Sequence, residues 1–262
     1  MTDGAPPPET QAVEVVKVRE GRRSRVKDLV VKEAICSILV NGTRVASLAC
    51  TPSDLESLAV GLLVSEGIIA SYSDVLCVSV KEDGRIVEVE THGRASDRIT
   101  QPVLGRESVD RPRDRLMEFV RDRNIASKLA VPASSLAALV RDFQEASMLF
   151  RSTGGVHSAA VCEPGGILFF KDDIGRHNAV DKVLGECSIK GIRTDDKILL
   201  LTGRVCSSVL MKAFLRGMPV LVSQSAPTHL AVELAYESGM TLVGFARGES
   251  MNVYSHDWRI VD

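Results

Sequence analysis

The sequence predicts an α/β protein, in which a mixed sheet with helices on both faces follows a small N-terminal α+β domain. Between Lys197 and Phe245, short apolar runs alternate with helix-like segments, an order that predicts parallel strands joined by right-handed crossovers. Asn41-Gly42 and Asp83-Gly84 each separate two apolar runs, which is typical of tight hairpins. With 262 residues, 45% of them hydrophobic, the chain can bury a sizeable core.

The composition argues against several classes of protein. A net charge of −2 gives no general attraction to polyanions, so we expect neither a nucleic-acid partner nor a membrane partner. No run approaches the roughly 18 apolar residues of a membrane-spanning helix. The segment from Met1 to Pro8 lacks the basic-then-apolar order of a signal peptide, so we expect a cytoplasmic protein.

The first part of the chain, residues 1–28, is predicted to be a flexible tail and a basic arm. The arm is interpreted either as a solvated strand or as a docking strip for an acidic partner. Its basic residues are Lys17, Arg19, Arg22, Arg23, Arg25 and Lys27.

Residues 29–91 are predicted to form the small N-terminal domain. Between its two hairpins, Ser53 and Glu56 have the spacing of a capping box, and apolar residues keep helical spacing until Gly67. The predicted strands are Ala34–Val40, Arg44–Cys50, Leu76–Lys81 and Arg85–Glu90.

Residues 92–131 are predicted to be a mobile arginine-rich linker that ends in a helix. Eight arginines lie between His92 and Arg123, and few apolar residues occur before Leu116. The helix is expected to begin near Pro112, since proline is tolerated in a first turn.

Residues 132–262 are predicted to form the larger domain, which begins with one helix from Pro132 to about Phe150. Ser158–Cys162 and Ile167–Lys171 are expected to pair as an antiparallel hairpin. The other predicted elements are the helices Ala179–Glu186, Ser207–Arg216 and Pro227–Ser238 and the strands Lys197–Leu201, Pro219–Val222 and Thr241–Phe245.

Two loops that follow neighbouring strands of this domain predict an anion site. Thr202-Gly203-Arg204 lies between a strand and a helix, so its backbone N–H groups and the arginine can face a phosphate or carboxylate. Ser223-Gln-Ser-Ala-Pro-Thr228 repeats this placement one β-α unit later, with hydroxyl groups instead of arginine. Together the loops predict an anion cradle at one sheet edge.

The segment Asp172–Lys182 is unusually polar for the start of a helix. One interpretation is a helix capped by Asp172 or Asp173 with local ion pairs. The other is a binding or acid–base cluster that His157 joins. His157 and His177 lack accompanying ligands at metal-site spacing, so we predict no metal site.

Further along, Arg247 and Gly248 lie just beyond the last predicted parallel strand. Gly248 can let the backbone approach a ligand closely. The alternative interpretation is a turn into a final edge strand.

The cysteines form neither a metal-binding nor a disulfide pattern. The chain has six, no two closer than 14 positions, so it has no Cys-x-x-Cys. The six are Cys36, Cys50, Cys77, Cys162, Cys187 and Cys206. Cys36, Cys77 and Cys162 are interpreted as small buried hydrophobic residues.

At these motifs the chain resembles the formate dehydrogenase accessory sulfurtransferase family, FdhD. The resemblance covers about residues 30–258 and includes the Asn41-Gly42 hairpin and Leu63–Ile69. Its principal motifs are Thr153-Gly-Gly-Val-His157, Asp173-Ile-Gly-Arg-His-Asn-Ala-Val-Asp-Lys182, Gly203-Arg204, Ser225-Ala-Pro-Thr-x-Leu-Ala-Val-Glu-Leu-Ala235, Val243-Gly-Phe-Ala-Arg-Gly248 and Asn252-Val-Tyr254.

The resemblance implies a cytidine-deaminase-like domain without the deaminase zinc site, and a sulfur-transfer function. Sulfur is expected to pass from a cysteine desulfurase to a molybdenum (or tungsten) bis-pterin guanine dinucleotide cofactor, which is cargo for the formate dehydrogenase apo-enzyme. A homodimer is also implied. The expected cofactor-binding residues are Thr153, Gly154, Gly155, His157, Asp173, Arg176, His177, Asn178, Gly203, Arg204, Ser223, Ser225, Ala226, Pro227, Thr228, Phe245, Ala246, Arg247, Gly248, Glu249, Ser250 and Asn252.

The chain departs from the family at the persulfide-carrying cysteine. The family usually has a Cys-x-x-Cys loop in the interval that corresponds to His92–Val131, and this interval contains no cysteine. Cys206, at a predicted helix N-terminus, is interpreted either as the sulfur carrier, since that position lowers a thiol pKa, or as a benign replacement of the small residue that the family usually has there. The alternatives are a cofactor chaperone that transfers no sulfur and a nucleotide hydrolase that uses Asp173 and His177.

Overall fold

A computed structural model describes residues 6–92 and 113–262 of the protein. Residues 1–5 of the predicted tail and residues 93–112 of the predicted linker lie outside these ranges. No helix within the described residues is long and apolar enough to cross a membrane.

The basic arm is a long two-stranded hairpin, formed by β1 (Thr10–Arg19) and β2 (Arg22–Val31). Glu20 and Gly21 make its turn, both with positive φ. The six basic side chains are exposed, as expected of a solvated strand. The pairing of β1 with β2 extends as far as Thr10 and Val31.

Both predicted N-terminal hairpins are confirmed. Their strands join into one sheet in the order β4-β3-β6-β5, in which β3 and β6 run parallel. Asn41 and Gly42 have φ of 49° and 79°, as a tight two-residue turn requires. The strands are β3 (Ala34–Val40), β4 (Thr43–Cys50), β5 (Val75–Lys81) and β6 (Ile86–Thr91), and α1 (Leu55–Ser65) follows β4.

The predicted capping box of α1 is wrong. The N-cap residue is Asp54, with φ 51°, and no side chain caps the helix. The Asp54 carboxylate binds Lys171, which lies 117 positions away in the chain. The Asp54 side chain thus pairs with a distant lysine and does not cap the helix.

The larger sheet has six strands in the order β13-β12-β11-β10-β8-β9. Its strands β10, β11 and β12 are parallel and the others antiparallel, so the predicted mixed sheet and crossovers are confirmed. The strands are β8 (His157–Glu163), β9 (Gly166–Asp173), β10 (Ile198–Leu201), β11 (Val220–Ser223), β12 (Thr241–Arg247) and β13 (Ser250–Ser255); β7 (Val131–Pro132) and β14 (Ile260–Val261) pair separately.

Helices cover both faces of this sheet, because alternate strand residues point to opposite sides. Leu199 and Leu201 pack into one core with most of the helices, whereas Ile198 and Leu200 pack against α3 on the other face. The remaining helices are α2 (Arg113–Arg121), α3 (Ala133–Ala146), α4 (Met148–Thr153), α5 (Arg176–Ile189), α6 (Ser207–Leu215) and α7 (His229–Ser238).

The helix predicted from Pro132 to Phe150 is in fact two helices, broken at Ser147. The Ser147 hydroxyl accepts a hydrogen bond from the Phe150 N–H at 2.8 Å and donates one to Asp172 at 2.8 Å. This capping interaction starts α4 as a separate helix. The partner on β9 is 25 positions away, so helical periodicity could not reveal the break.

Two glycines allow α1 and α5 to pack with their backbones in contact. A Cβ added to Gly61 would lie 1.8 Å from the Asp181 carbonyl oxygen, and one added to Gly185 would lie 1.8 Å from the Ser57 carbonyl oxygen. Any larger residue must therefore push the helices apart. This contact joins the N-terminal sheet to the larger domain.

A buried ion pair supports the same helix packing. Lys212 of α6 binds Asp181 of α5 at 2.7 Å and donates to the Ser65 hydroxyl of α1 at 2.8 Å. The Ser65 hydroxyl also donates to Asp181, at 2.7 Å. The cluster thus ties three helices together with hydrogen bonds.

We predict that Gly61→Ala destabilises the protein by about 3 kcal/mol, because overpacking separates α1 from α5. Urea unfolding followed by circular dichroism measures the effect. Gly165→Ala is the matched control, since its added Cβ would meet no atom within 4 Å. Equal unfolding midpoints for the two variants would contradict the prediction.

Candidate functional site

A cleft of about 620 Å³ opens beside the ends of β10, β11 and β12, where parallel strands commonly place ligand sites. A second cavity of about 420 Å³ adjoins it, and His157 and Ile174 line both. Five of the predicted residues line the cleft: Gly154, Gly155, His157, Ser225 and Arg247. Four line the second cavity: His157, Arg176, His177 and Asn178.

The Thr-Gly-Gly loop forms one edge of the cleft. Gly154 ends α4 with φ 65°, a conformation that favours glycine. The Thr153 hydroxyl accepts the Gly155 N–H at 3.1 Å and donates to the Leu149 carbonyl. A Cβ on Gly155 would come within 2.8 Å of Val31, so the base of the basic arm packs against this loop.

His157 stands between the two cavities. Its Nδ1 lies 3.3 Å from the Thr202 hydroxyl, which also accepts the Ser158 N–H. Burial, followed by the positive charge of Arg176, lowers the pKa of His157. The ring is therefore held neutral at pH 7 and can act as a hydrogen-bond donor or acceptor toward a ligand.

Gly203 lets the Thr202–Arg204 loop pack tightly against α5. A Cβ there would lie 2.9 Å from Cβ of Arg176 and 3.5 Å from Nδ1 of His157. Arg176 Nε is buried and has no hydrogen-bond partner within the described chain. An unpaired donor of this kind can donate a hydrogen bond to a ligand oxygen.

The two predicted cradle loops are joined to each other, as their neighbouring positions predict. The buried Ser223 hydroxyl donates to the Gly203 carbonyl at 2.7 Å and accepts the Ser225 N–H at 3.0 Å. Val205 and Thr228 add backbone hydrogen bonds across the pair, and the Thr228 hydroxyl caps α7. Ser223 and Thr228 thus shape the loops through internal contacts.

A third loop closes the far side of the cleft. Phe245 has φ 52°, is exposed, and donates its N–H to the Ser225 carbonyl at 3.1 Å. Arg247 Nε donates to the Gln224 carbonyl at 3.2 Å. Gln224 Nε2 is buried without a partner in the described structure, so this amide is a second donor available to a ligand.

Cys206, His177 and Ser208 form a compact polar cluster at the N-terminus of α6. Cys206 Sγ lies 3.7 Å from His177 Nε2 and 3.1 Å from the Ser208 hydroxyl, and the latter two are 3.0 Å apart. Burial alone raises the pKa of Cys206, but hydrogen bonds from His177, Ser208 and the Val209 N–H outweigh it and lower the pKa to about 6. At neutral pH the side chain is mostly thiolate.

Asp173 was predicted to contact a cofactor, but its surroundings do not fit that role. The side chain is fully buried and pairs with buried Lys182 at 2.8 Å. It also accepts the N–H groups of Thr51 and Gly175 and the Asn178 amide. Asp173 therefore anchors α5 to the N-terminal sheet, and neither it nor Asp172 caps the helix.

Several other predicted residues lie apart from the cavities. The Ala246 side chain is buried in the core, and Arg204 is exposed without lining either cavity. The turn that follows β12 is largely exposed. It includes Gly248, Glu249 and Ser250, with Asn252 following on β13. Ala226 and Pro227 are half-buried between the joined loops.

The sequence prediction missed part of the cleft wall. Phe143, Gln144, Ser147 and Phe150 come from α3 and α4, which show only the apolar spacing of a core helix. Gln224 lies inside a predicted loop but has no motif of its own. Within the described residues, no group of three or more His, Cys, Asp or Glu side chains is arranged to hold a metal.

Comparison with known proteins covers nearly the whole chain. A model described as the FdhD/NarQ family matches residues 31–261. The sulfur carrier protein FdhD of Bacillus subtilis (strain 168) is 35% identical over 258 residues, which are 96% of this chain and 97% of the relative. That of Staphylococcus aureus (strain Newman) is 35% identical over 254 residues, 95% of each chain.

The fold is also found in a solved structure. A crystal structure described as a formate dehydrogenase accessory protein from Desulfotalea psychrophila superposes with a TM-score of 0.80. The two chains are 26% identical, and the match covers 97% of this chain and 100% of the other.

We predict that Lys182→Met destabilises the protein by about 3–5 kcal/mol, because it leaves the Asp173 carboxylate buried and unpaired. Chemical unfolding measures the loss. Arg193→Ala, which removes an exposed ion pair with Asp195, is the control and should change stability little. An unaltered unfolding midpoint for Lys182→Met would refute the anchoring role.

Alkylation of Cys206 by iodoacetamide should follow a pH profile with its midpoint near 6, because only the thiolate reacts and the pKa is about 6. Peptide-resolved mass spectrometry gives the rate at each pH. The rate should rise up to about pH 7 and then level off. A midpoint near that of an ordinary thiol, about 8.5, would show that the cluster does not stabilise the thiolate.

Proposed function

The chain belongs to the FdhD/NarQ family, and from this we propose that it supports the maturation of a formate dehydrogenase. In this role it binds a molybdenum or tungsten bis-pterin guanine dinucleotide cofactor as cargo and supports its sulfuration before insertion into the apo-enzyme. The names of its relatives, a sulfur carrier and a formate dehydrogenase accessory protein, support the sulfur-carrying and accessory parts of the proposal.

The observation that carries cofactor binding is the cleft with two unpaired buried donors nearby. Its volume of about 620 Å³ falls in the usual range for a small-molecule site. A bis-pterin cofactor is larger than one such cleft, so we propose that the cleft holds one guanine nucleotide arm. Gln224 Nε2 and Arg176 Nε supply donors without partners among the described residues.

Three parts of the site have distinct tasks in this proposal. Backbone N–H groups in the joined loops face the phosphates, with Arg247 neutralising their charge. Phe150 is 51% exposed at the cleft and offers a flat face on which guanine can stack. His157 and Thr202 orient the part of the cargo between the two cavities.

The expected partners and setting belong to the same proposal. A cysteine desulfurase donates sulfur and formate dehydrogenase receives the cofactor, in the cytoplasm, with this chain acting as a homodimer. We also propose that the six-stranded sheet and its helices form a cytidine-deaminase-like domain.

A second candidate is a cofactor chaperone that transfers no sulfur. The absence of cysteine between His92 and Val131, where the family usually has its Cys-x-x-Cys loop, favours it. The hydrolase alternative is not supported, because Asp173 is fully buried in its ion pair and His177 hydrogen bonds Ser208. No hydrogen bond joins Asp173 to His177 within the described chain.

We predict that Arg247→Ala raises the Kd for GDP, used as a probe of the nucleotide arm, by roughly ten- to a hundredfold. The physical reason is the loss of a charged hydrogen bond, which costs about 1.5–3 kcal/mol. Isothermal titration of the folded variants measures it. Arg204→Ala tests, by the same titration, the sequence prediction that Arg204 contacts the anion. Arg193→Ala is the control, because Arg193 is exposed and distant from the cleft.

The controls decide how the titration is interpreted. If Arg193→Ala weakens GDP binding as much as Arg247→Ala does, attraction by general positive charge is the cause. If wild-type protein binds no GDP at millimolar concentration, the cleft is not a guanine nucleotide site.

A further inference from the structure

One cysteine differs from the other five in its surroundings. Cys36, Cys50, Cys162 and Cys187 are fully buried. Cys77 is exposed on β5 and lines neither cavity of the site. Cys206 alone is half-buried, and its partners His177 and Ser208 line the second cavity.

The Cys206 cluster has the arrangement of an activated nucleophile. A thiol within reach of an imidazole can transfer its proton and react as the thiolate. Here His177 Nε2 is 3.7 Å from Cys206 Sγ, and the Ser208 hydroxyl lies 3.1 Å from that sulfur and 3.0 Å from the ring. Cys206 is also the N-cap residue of α6, where the helix dipole favours a negative charge.

We propose that Cys206 is the thiol on which this chain receives sulfur, in the form of a persulfide from a persulfide-bearing donor. The inference rests on the proposed function, because it assigns the sulfur-carrying step of that function to a residue. It moves the step from the usual loop to a cysteine whose partners His177 and Ser208 line the second cavity.

The loading step is balanced without any further reactant. The Cys206 thiolate attacks the outer sulfur of a donor persulfide, the new sulfur–sulfur bond forms, and the donor's sulfur–sulfur bond breaks. The donor leaves as a thiolate, which can take up the proton that His177 received from Cys206. One sulfane sulfur has moved, and no external oxidant or reductant takes part.

The second cavity suits a negatively charged persulfide. Arg176 lines it and has a buried Nε without a partner among the described residues. Lys212 and Glu66 also line it, and Lys212 is already paired with Asp181 at 2.7 Å and with Glu66 at 3.7 Å. Arg176 is therefore the residue placed to stabilise the terminal sulfur.

The sulfur-loading residue Cys206 also has its partners in a cavity next to the proposed cargo site. His157 and Ile174 line both cavities, so these two side chains separate the second cavity from the proposed nucleotide cleft. His177 and Ser208, the partners of Cys206, thus line the cavity that adjoins the proposed cargo site.

The experiment is persulfide mapping on the full chain. Wild-type protein, Cys206→Ser and the control Cys77→Ser are incubated anaerobically with a cysteine desulfurase and L-cysteine, alkylated and analysed by peptide mass spectrometry. We expect one extra sulfur on the Cys206 peptide in the wild type and in Cys77→Ser. Cys206→Ser should carry at least about tenfold less sulfur, since the remaining cysteines are buried or lie away from the site.

A second variant tests the role of the imidazole. His177→Ala should load Cys206 at least about threefold more slowly at pH 6.5, because the thiolate fraction falls. Sulfur mapped to another cysteine, or to none of the six, would overturn the inference.

GDP titration of the wild type separates this inference from the proposed function. If GDP binds but Cys206 takes no sulfur, the assignment of Cys206 is wrong and cofactor binding stands. If Cys206 takes sulfur but GDP does not bind, the cleft proposal is wrong and the sulfur-carrying thiol stands.

Discussion

The close contact between α1 and α5 is the constraint on which the rest of the structure depends. Gly61 and Gly185 let the two backbones touch, and the buried pair Asp173–Lys182 fixes the entrance of α5 to Thr51 of the N-terminal sheet. Because α5 is held along its length and at its start, Arg176 and His177 have defined positions. The N-terminal sheet thus acts as a support for the site in the larger domain.

Because α5 is held in this way, the polar residues around its start have two different roles. Asp173 and Lys182 face inward and satisfy each other, whereas Arg176 and His177, between them in the chain, face the cavity. Burying an ion pair has a large desolvation cost, which the several hydrogen bonds to both partners offset. The exposed face of the same turn remains available for ligand and sulfur chemistry.

Sequence reasoning succeeded where the signal is local and failed where the deciding partner is distant. The Asn41-Gly42 hairpin and the parallel crossovers follow from turn chemistry and alternation of elements. The Ser147 hydroxyl at the helix break bonds Asp172, and the side chain of the α1 N-cap residue Asp54 pairs with Lys171, so neither contact can be read from neighbouring residues. Asp173 looked like a ligand residue because its motif is polar, and only the fold shows that it is enclosed.

The general position of the site could also be predicted, because its signal is local. Loops that follow adjacent parallel strands must meet, so the joined Thr202–Arg204 and Ser223–Thr228 loops were foreseeable. The aromatic wall was not, because Phe143 and Phe150 have the spacing of ordinary core residues. Gln224 is recognisable only by its unpaired amide, a property of the folded chain.

We propose that the cleft between the joined loops and α4 binds a guanine nucleotide, and a crystal structure of the protein with GDP tests this proposal. We expect density for the base against Phe150 and for the phosphates near Arg247 and the Thr202–Arg204 loop. Density for GDP only at another surface, or a cleft that stays empty at saturating GDP, would refute the proposal.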